Sequence, residues 1–156
     1  MMVVLTLVLI VVLKVASLRS VKWALVALAP LLMGFVLTFG TMVLLGWTLN
    51  FYNMIVLPAI LGIGDDAGIH IVHRYQEEGR GSIWHVLTST GESVVMSALT
   101  AMIGFGGQIT SFHPGLRTLG ALAFVGIGLT MLTAVVFLPG LIQRLEDTGR
   151  GAPAAE

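Results

Sequence analysis

Five apolar runs, each close to the length needed to cross a bilayer, decide what this chain can fold into. Spanning a hydrocarbon layer of about 30 Å takes roughly 20 helical residues, because lipid offers backbone N–H and C=O groups no partner outside their own helix. Windows of that size select residues 2–18, 24–46, 53–73, 90–110 and 117–142. The second, fourth and fifth are almost free of charge, with Glu92 near the start of the fourth. The 156 residues are 56% hydrophobic and 10% charged, and the mean hydropathy is +0.97. Such values lie well outside soluble domains. The expected fold class is an all-α membrane protein, a five-transmembrane-helix bundle.

Composition also removes some function classes. The formal net charge is zero and no basic tail is present, so a nucleic-acid partner is not expected. Without cysteine there are no disulfides and no thiolate metal sites. The first apolar run has no positive residue ahead of it and no small-residue cleavage site behind it, and so reads as a retained helix, not a signal peptide.

Basic residues set the expected orientation, since they are kept on the cytoplasmic side. Lys14, Arg19, Lys22, Arg74, Arg80, Arg144 and Arg150 fall on one side, and only Arg117 of the eight Lys and Arg falls on the other. This places the N-terminus outside and the C-terminus in the cytoplasm. Lys14 lies within the first run, about one turn from its inner end, where its stem can snorkel to the interface. Trp23, Trp47, Phe51, Tyr52, Tyr75 and Trp84 stand near expected helix ends, as an aromatic belt requires.

The connections carry their own signals. "RYQEEGRGSIWHVLTST" predicts one short amphipathic cytoplasmic helix, and Ser89 with Glu92 has capping-box spacing for a new start. Pro114-Gly115 predicts an outer turn. Residues 1–145 form the expected transmembrane domain, and 146–156 a flexible polar cytoplasmic tail. The glycines of "GFGG" at 104–107 and "GIG" at 126–128 predict close helix approaches. Pro58 removes a backbone hydrogen bond and predicts a kink or local unwinding in the third helix.

Against this background, "LGIGDDAGIHIVHRYQEEG" at 61–79 is the anomaly, with two adjacent carboxylates inside a lipid-soluble segment. At about 1.5 Å per residue, Asp66 lies some 12 Å from Arg74 and some 20 Å from Asn53, deep in the hydrocarbon zone. A charge there costs at least about 2.5–3.5 kcal/mol. Successive helical positions turn by about 100°, so Asp65 and Asp66 face different directions. Asp66 shares a stripe with Gly62, Ile69, His70 and His73. An acid and an imidazole held together away from water suit proton exchange, which makes Asp66, Asp65 and His70 the candidate proton relay. The structural alternative is that the carboxylates bond to neighbouring hydroxyls and lock helix packing. His73 stands near enough to the interface to be only interfacial, and Glu92 reads as a cap. No metal site is expected, because Asp66 and His70 offer only two ligands. HExxH, GxSxG and a phosphate-cradling loop are all absent, so no enzyme is expected.

The run Gly62-Ile63-Gly64-Asp65-Asp66-Ala67-Gly68-Ile69-His70, continuing to His73-Arg74-Tyr75, resembles the fourth helix of a six-helix half in the resistance-nodulation-division superfamily. It is most similar to the MMPL branch and its sterol-sensing-domain relatives. "GESVVMSALTAMIGFGGQITSFHPGLRTLG" resembles the fifth helix with its outer turn, and "LTMLTAVVFLPGLI" the sixth. The resemblance covers roughly residues 20–145 and is specific because three separated motifs occur in order.

It implies a proton-driven exporter of lipids or other hydrophobic molecules in the bacterial inner membrane, with the relay acid at Asp66, the proton as coupling ion and no other cofactor. Ala67 stands where many relatives carry Tyr, so an aspartate–tyrosine relay does not carry over, while Asp65 with Asp66 resembles the acid pair of drug-efflux relatives. The chain looks like helices two to six of one half and is expected to be the C-terminal fragment of a longer exporter. Its expected partners are membrane lipids, a hydrophobic substrate, and either the missing half or N-terminal part of a transporter or a second copy of itself. The alternative from the same resemblance is a non-transporting lipid-sensing or scaffold module of the sterol-sensing type.

Overall fold

The computed structural model describes residues 2–149, and all their regular structure is helical. The elements are α1 (Met2–Leu18), α2 (Val21–Leu44), α3 (Phe51–Glu78), α4 (Ile83–Thr110) and α5 (Pro114–Asp147). Helices α2 to α5 are long and apolar enough to cross a membrane, and α1, at 17 residues, is a shorter apolar helix. All five expected segments are helical, and the chain is an all-α membrane bundle.

Short connections alternate the helices up and down. One end holds the turn at 19–20, the loop at 79–82 and the C-terminal end of α5; the opposite end holds the loops at 45–50 and 111–113. Arg19, Lys22, Arg74, Arg80 and Arg144 belong to the first, called here the basic end, and Arg117 to the far end. Local chemistry explains the stops. The Asn50 side chain caps α3 by accepting the Asn53 N–H at 2.8 Å, and Gly79, at φ 83°, ends it in a conformation that costs other residues more. At α5, His113 Nδ1 accepts the Gly115 N–H at 3.1 Å, and Pro114 sits at the first turn, where its missing N–H costs nothing.

Several local expectations change. The segment read as a separate amphipathic helix is the beginning of α4: Ile83–Val86 passes through a π turn, Leu87–Gly91, into Glu92–Gly106. Ser89 is therefore already inside a helix. Its hydroxyl donates to the His85 carbonyl at 2.9 Å, and the capping box with Glu92 does not form. Helix α3 runs unbroken through Pro58 without the expected unwinding. The expected tail begins too early, because α5 continues to Asp147, while residues 150–156 of that tail lie outside the described residues.

Helix α3 lies against α1, α2 and α5, whereas α4 leans mainly on α5 and touches α3 less. An apolar cluster near the basic end joins Trp23, Ile71, Tyr75, Val86, Leu138 and Ile142. A second, toward the far end, joins Met42, Leu57, Ile60, Ala98, Leu122 and Ile127. Trp23 and Tyr75 pack together within the first, their rings tilted by 50° at 5.4 Å between centroids, and so leave the expected aromatic belt, while Phe51 and Trp84 remain exposed. Between the clusters, Gly34 of α2 and Gly64 of α3 both press on Thr130 of α5, where an added Cβ would come within 2.5 Å and 2.9 Å of that residue. Dispersion over such close backbones holds helices together where lipid leaves no net hydrophobic drive. Gly126 serves this purpose against Ile60, Gly128 against Met102 and Gly106 against Phe124, whereas Gly104 and Gly107 face open space, contrary to expectation.

Candidate functional site

The two adjacent carboxylates occupy different environments. Asp65 turns toward α1, where its Oδ1 lies 2.8 Å from Lys14 Nζ. Lys14 is 1% exposed, and its ammonium also donates to the Ala27 carbonyl of α2 at 2.8 Å. The expected snorkelling of Lys14 does not occur. A cation this deep needs an opposite charge and an acceptor, and the α1–α2–α3 junction supplies both. Gly68, one turn beyond Asp65, leaves room for the same Ala27 carbonyl to lie against α3.

Asp66 turns the other way, into a cavity of about 550 Å³ between α3 and α4 that is closed behind by α5. From α3 the walls take Asp66, His70 and Arg74; from α4 they take Ser89, Thr90, Ser93 and Ser97. Among the described residues, Asp66 and His70 make no hydrogen bond or ion pair with another residue, so their polar atoms are free to meet whatever fills the cavity. Arg74, at its outer margin, is held by Glu77 at 3.0 Å and Glu78 at 2.8 Å.

Of the expected relay residues, the structure thus brings Asp66 and His70 to one cavity and sets Asp65 on the opposite side of the helix. His73 lies outside, exposed and 3.4 Å from Glu77, the interfacial position considered for it. Two features were missed in the sequence. One is Lys14 as the partner of Asp65, signalled by a lone cation inside "LVLIVVLKVASL". The other is the hydroxyl stripe Ser89, Ser93, Ser97, signalled by its four-residue spacing.

A further polar cluster ties the basic end together. The Tyr75 hydroxyl donates to the Glu146 carboxylate, the Gly81 N–H donates to the same group at 2.8 Å, and Arg80 donates to the Glu146 carbonyl at 2.8 Å. Glu146, assigned in sequence to the flexible tail, is a clasp between the end of α5 and the α3–α4 loop.

The MMPL family model matches residues 1–153. The chain is 34% identical over 128 residues to a hopanoid transporter of Burkholderia multivorans, an alignment covering 82% of this chain and 14% of that protein. It is 30% identical over 136 residues to a hopanoid transporter of Rhodopseudomonas palustris, covering 85% and 15%. With a protein of Methanocaldococcus jannaschii named as a membrane protein it shares 33% identity over 121 residues, covering 74% and 31%. The chain therefore spans between about a seventh and a third of the length of these relatives. No solved structure matches it.

Proposed function

The chain belongs to the MMPL family, and from that premise we propose that it forms the membrane portion of a proton-coupled exporter of lipids or other hydrophobic molecules, with Asp66 as the principal protonation site. One observation carries this reading: of two neighbouring acids, one is bound to a buried cation and the other faces a polar cavity and, among the described residues, makes no ion pair. The Asp65 carboxylate is committed to Lys14 at a packed junction, whereas an acid facing a cavity can exchange a proton with what fills that cavity as its access changes. Asp65 enters as the secondary acid, holding Lys14, and His70, one turn along from Asp66, as the relay neighbour.

The hydrophobic cargo is supported by the names of two relatives, both hopanoid transporters. We place the chain as a multi-pass protein of the bacterial inner membrane, N-terminus outside and C-terminus cytoplasmic, on the ground that its basic residues gather at one end of the bundle. In this reading it works with further parts of a transporter, or with a second copy, and its role is carriage, not catalysis. The lipid-sensing alternative does not require an acid facing a cavity.

The test is proton-driven efflux of a fluorescent hydrophobe from vesicles holding the full-length protein. Asp66→Asn should abolish efflux while leaving membrane insertion and thermal stability as they were. Undiminished efflux in that variant would overturn the assignment.

A further inference from the structure

The cavity has a direction. Along α3 it reaches from Arg74, one turn from the end of the helix, to Ile63 and Gly64, a length of about 16 Å at the helical rise. Its Arg74 end coincides with Ser89 and Thr90, in the π turn just inside the start of α4. That end lies toward the 79–82 loop, which carries Arg80. At the opposite end the lining becomes Ile63, Ala98, Ile127 and Met131, and Ala98 and Ile127 are buried members of the far-end apolar cluster. The lining is thus polar toward the basic end and ends in packed apolar side chains toward the far end.

Its walls are two matched polar stripes. On α3, Asp66, His70 and Arg74 recur every four residues; on α4, Ser97, Ser93 and Ser89 do the same in the reverse direction. The two helices run antiparallel through the short 79–82 loop, so the register sets Arg74 level with Ser89, His70 with Ser93 and Asp66 with Ser97. Ser93 and Ser97 are exposed along the α3–α4 groove, and Ser97 makes no hydrogen bond to the protein among the described residues. Ser93 donates to the Ser89 carbonyl at 3.4 Å, but a Ser97 hydroxyl turned to lipid without such a bond would lose its hydrogen bonds with nothing in return. Turned to a polar cavity of this volume, each can hold water, which needs two to four polar partners.

We infer that the α3–α4 cavity is a one-sided aqueous vestibule connecting Asp66 to the basic end of the bundle, in which Ser93 and Ser97 order the water that delivers protons to and from the carboxylate. This rests on the proposed role of Asp66 and adds the side from which it is reached and the residues along the path. A proton arrives as hydronium in the water chain and joins a carboxylate oxygen of Asp66; the reverse step returns it to the same chain. In this conformation the Ala98–Ile127 plug keeps it from the far face. Lys14 and Asp65, on the other side of α3, take no part in the path.

The chain has no cysteine, so once any cysteines elsewhere in the full-length protein are replaced, single cysteines report water access without background. Ser93→Cys and Ser97→Cys, with Leu122→Cys beyond the plug, are made in the full-length protein. Each is exposed to a charged, membrane-impermeant thiol reagent added to sealed vesicles from one face at a time. Only the hydrated thiolate reacts. Positions 93 and 97 should label from the face bearing Arg74 at least an order of magnitude faster than from the far face, with 97 slower than 93, and position 122 should stay unlabelled from the Arg74 face. Labelling that stops at 93, labelling of 97 from the far face, or no labelling of either serine position overturns the vestibule, the last because a groove filled by lipid excludes the reagent. Labelling of 122 from the Arg74 face overturns its closed end. None of these outcomes depends on transport, so a failure here is distinguishable from a failure of Asp66→Asn to abolish efflux.

Discussion

Two faces of one helix, a single residue apart, have opposite characters. The Asp65 face of α3 is closed: carboxylate, ammonium and backbone carbonyl meet within 2.8 Å contacts, and a glycine admits the neighbouring backbone. The Asp66 face is open: its acid and imidazole look into a cavity across from a row of hydroxyls. Equal chemistry in sequence becomes unequal chemistry in space because the helical turn of about 100° sends one carboxyl to a packed junction and the other to a groove. The closed face is expected to carry stability and the open face transport.

The largest expected effect breaks the closed face. Lys14→Met leaves Asp65 facing an uncompensated burial, and removal of one partner from a buried ion pair costs about 3–5 kcal/mol. The variant should melt well below the parent in detergent. The double variant Lys14→Met with Asp65→Leu should recover most of the loss, since two apolar groups need no partner. Asp66→Asn, on the open face, should hardly move the melting temperature. A Lys14→Met variant as stable as the parent would erase the distinction between the faces.

A smaller effect sharpens it with glycines of the same helix. At Gly68 an added Cβ would collide with the Ala27 carbonyl, the group that also accepts from Lys14. Gly68→Ala should therefore cost about 1–3 kcal/mol, as overpacking does. At Gly62 nothing lies within 4 Å of an added Cβ. There Gly62→Ala should be neutral or stabilise by up to about 1 kcal/mol through helix propensity. Equal melting temperatures for the two variants would show that the closed face is looser than its contacts indicate.

Helix number, spans and the alternation of ends were legible in the sequence, because they follow from the length of apolar runs and the demand that every backbone group in lipid be satisfied within its helix. The opposed directions of Asp65 and Asp66 were legible too, from helical geometry alone. What was not legible depended on partners distant in the chain. Lys14 was assigned to the interface by its distance from a helix end, yet its position is set by Asp65, 51 residues on, and by a carbonyl of α2. Trp23 and Tyr75 carried the residue types of an interfacial belt, but tertiary packing places them against each other in the core. Ser89 carried the spacing of a cap, and the earlier start of α4 turned it into a wall of the cavity. Motif spacing identifies which residues share a stripe; only the packed neighbours decide what that stripe meets.

The smallest expected effect concerns the open face and separates hydroxyl chemistry from packing. Ser97 is exposed along the α3–α4 groove and, by register, level with Asp66, so removing its oxygen touches no close-packed contact. Surface changes of this kind leave stability within about 0.5 kcal/mol. Ser97→Ala should therefore melt with the parent yet slow proton-driven efflux several-fold, because the water nearest the carboxylate loses one hydrogen-bond partner while others remain. Ser97→Thr keeps the oxygen and should retain most of the rate, although it adds a methyl group. A structural role for Ser97 reverses this order: the smaller alanine would be tolerated and the larger threonine would impair. Measuring initial efflux rates for both variants at the same imposed proton gradient thus assigns the position by the sign of the difference, independently of how large either effect is.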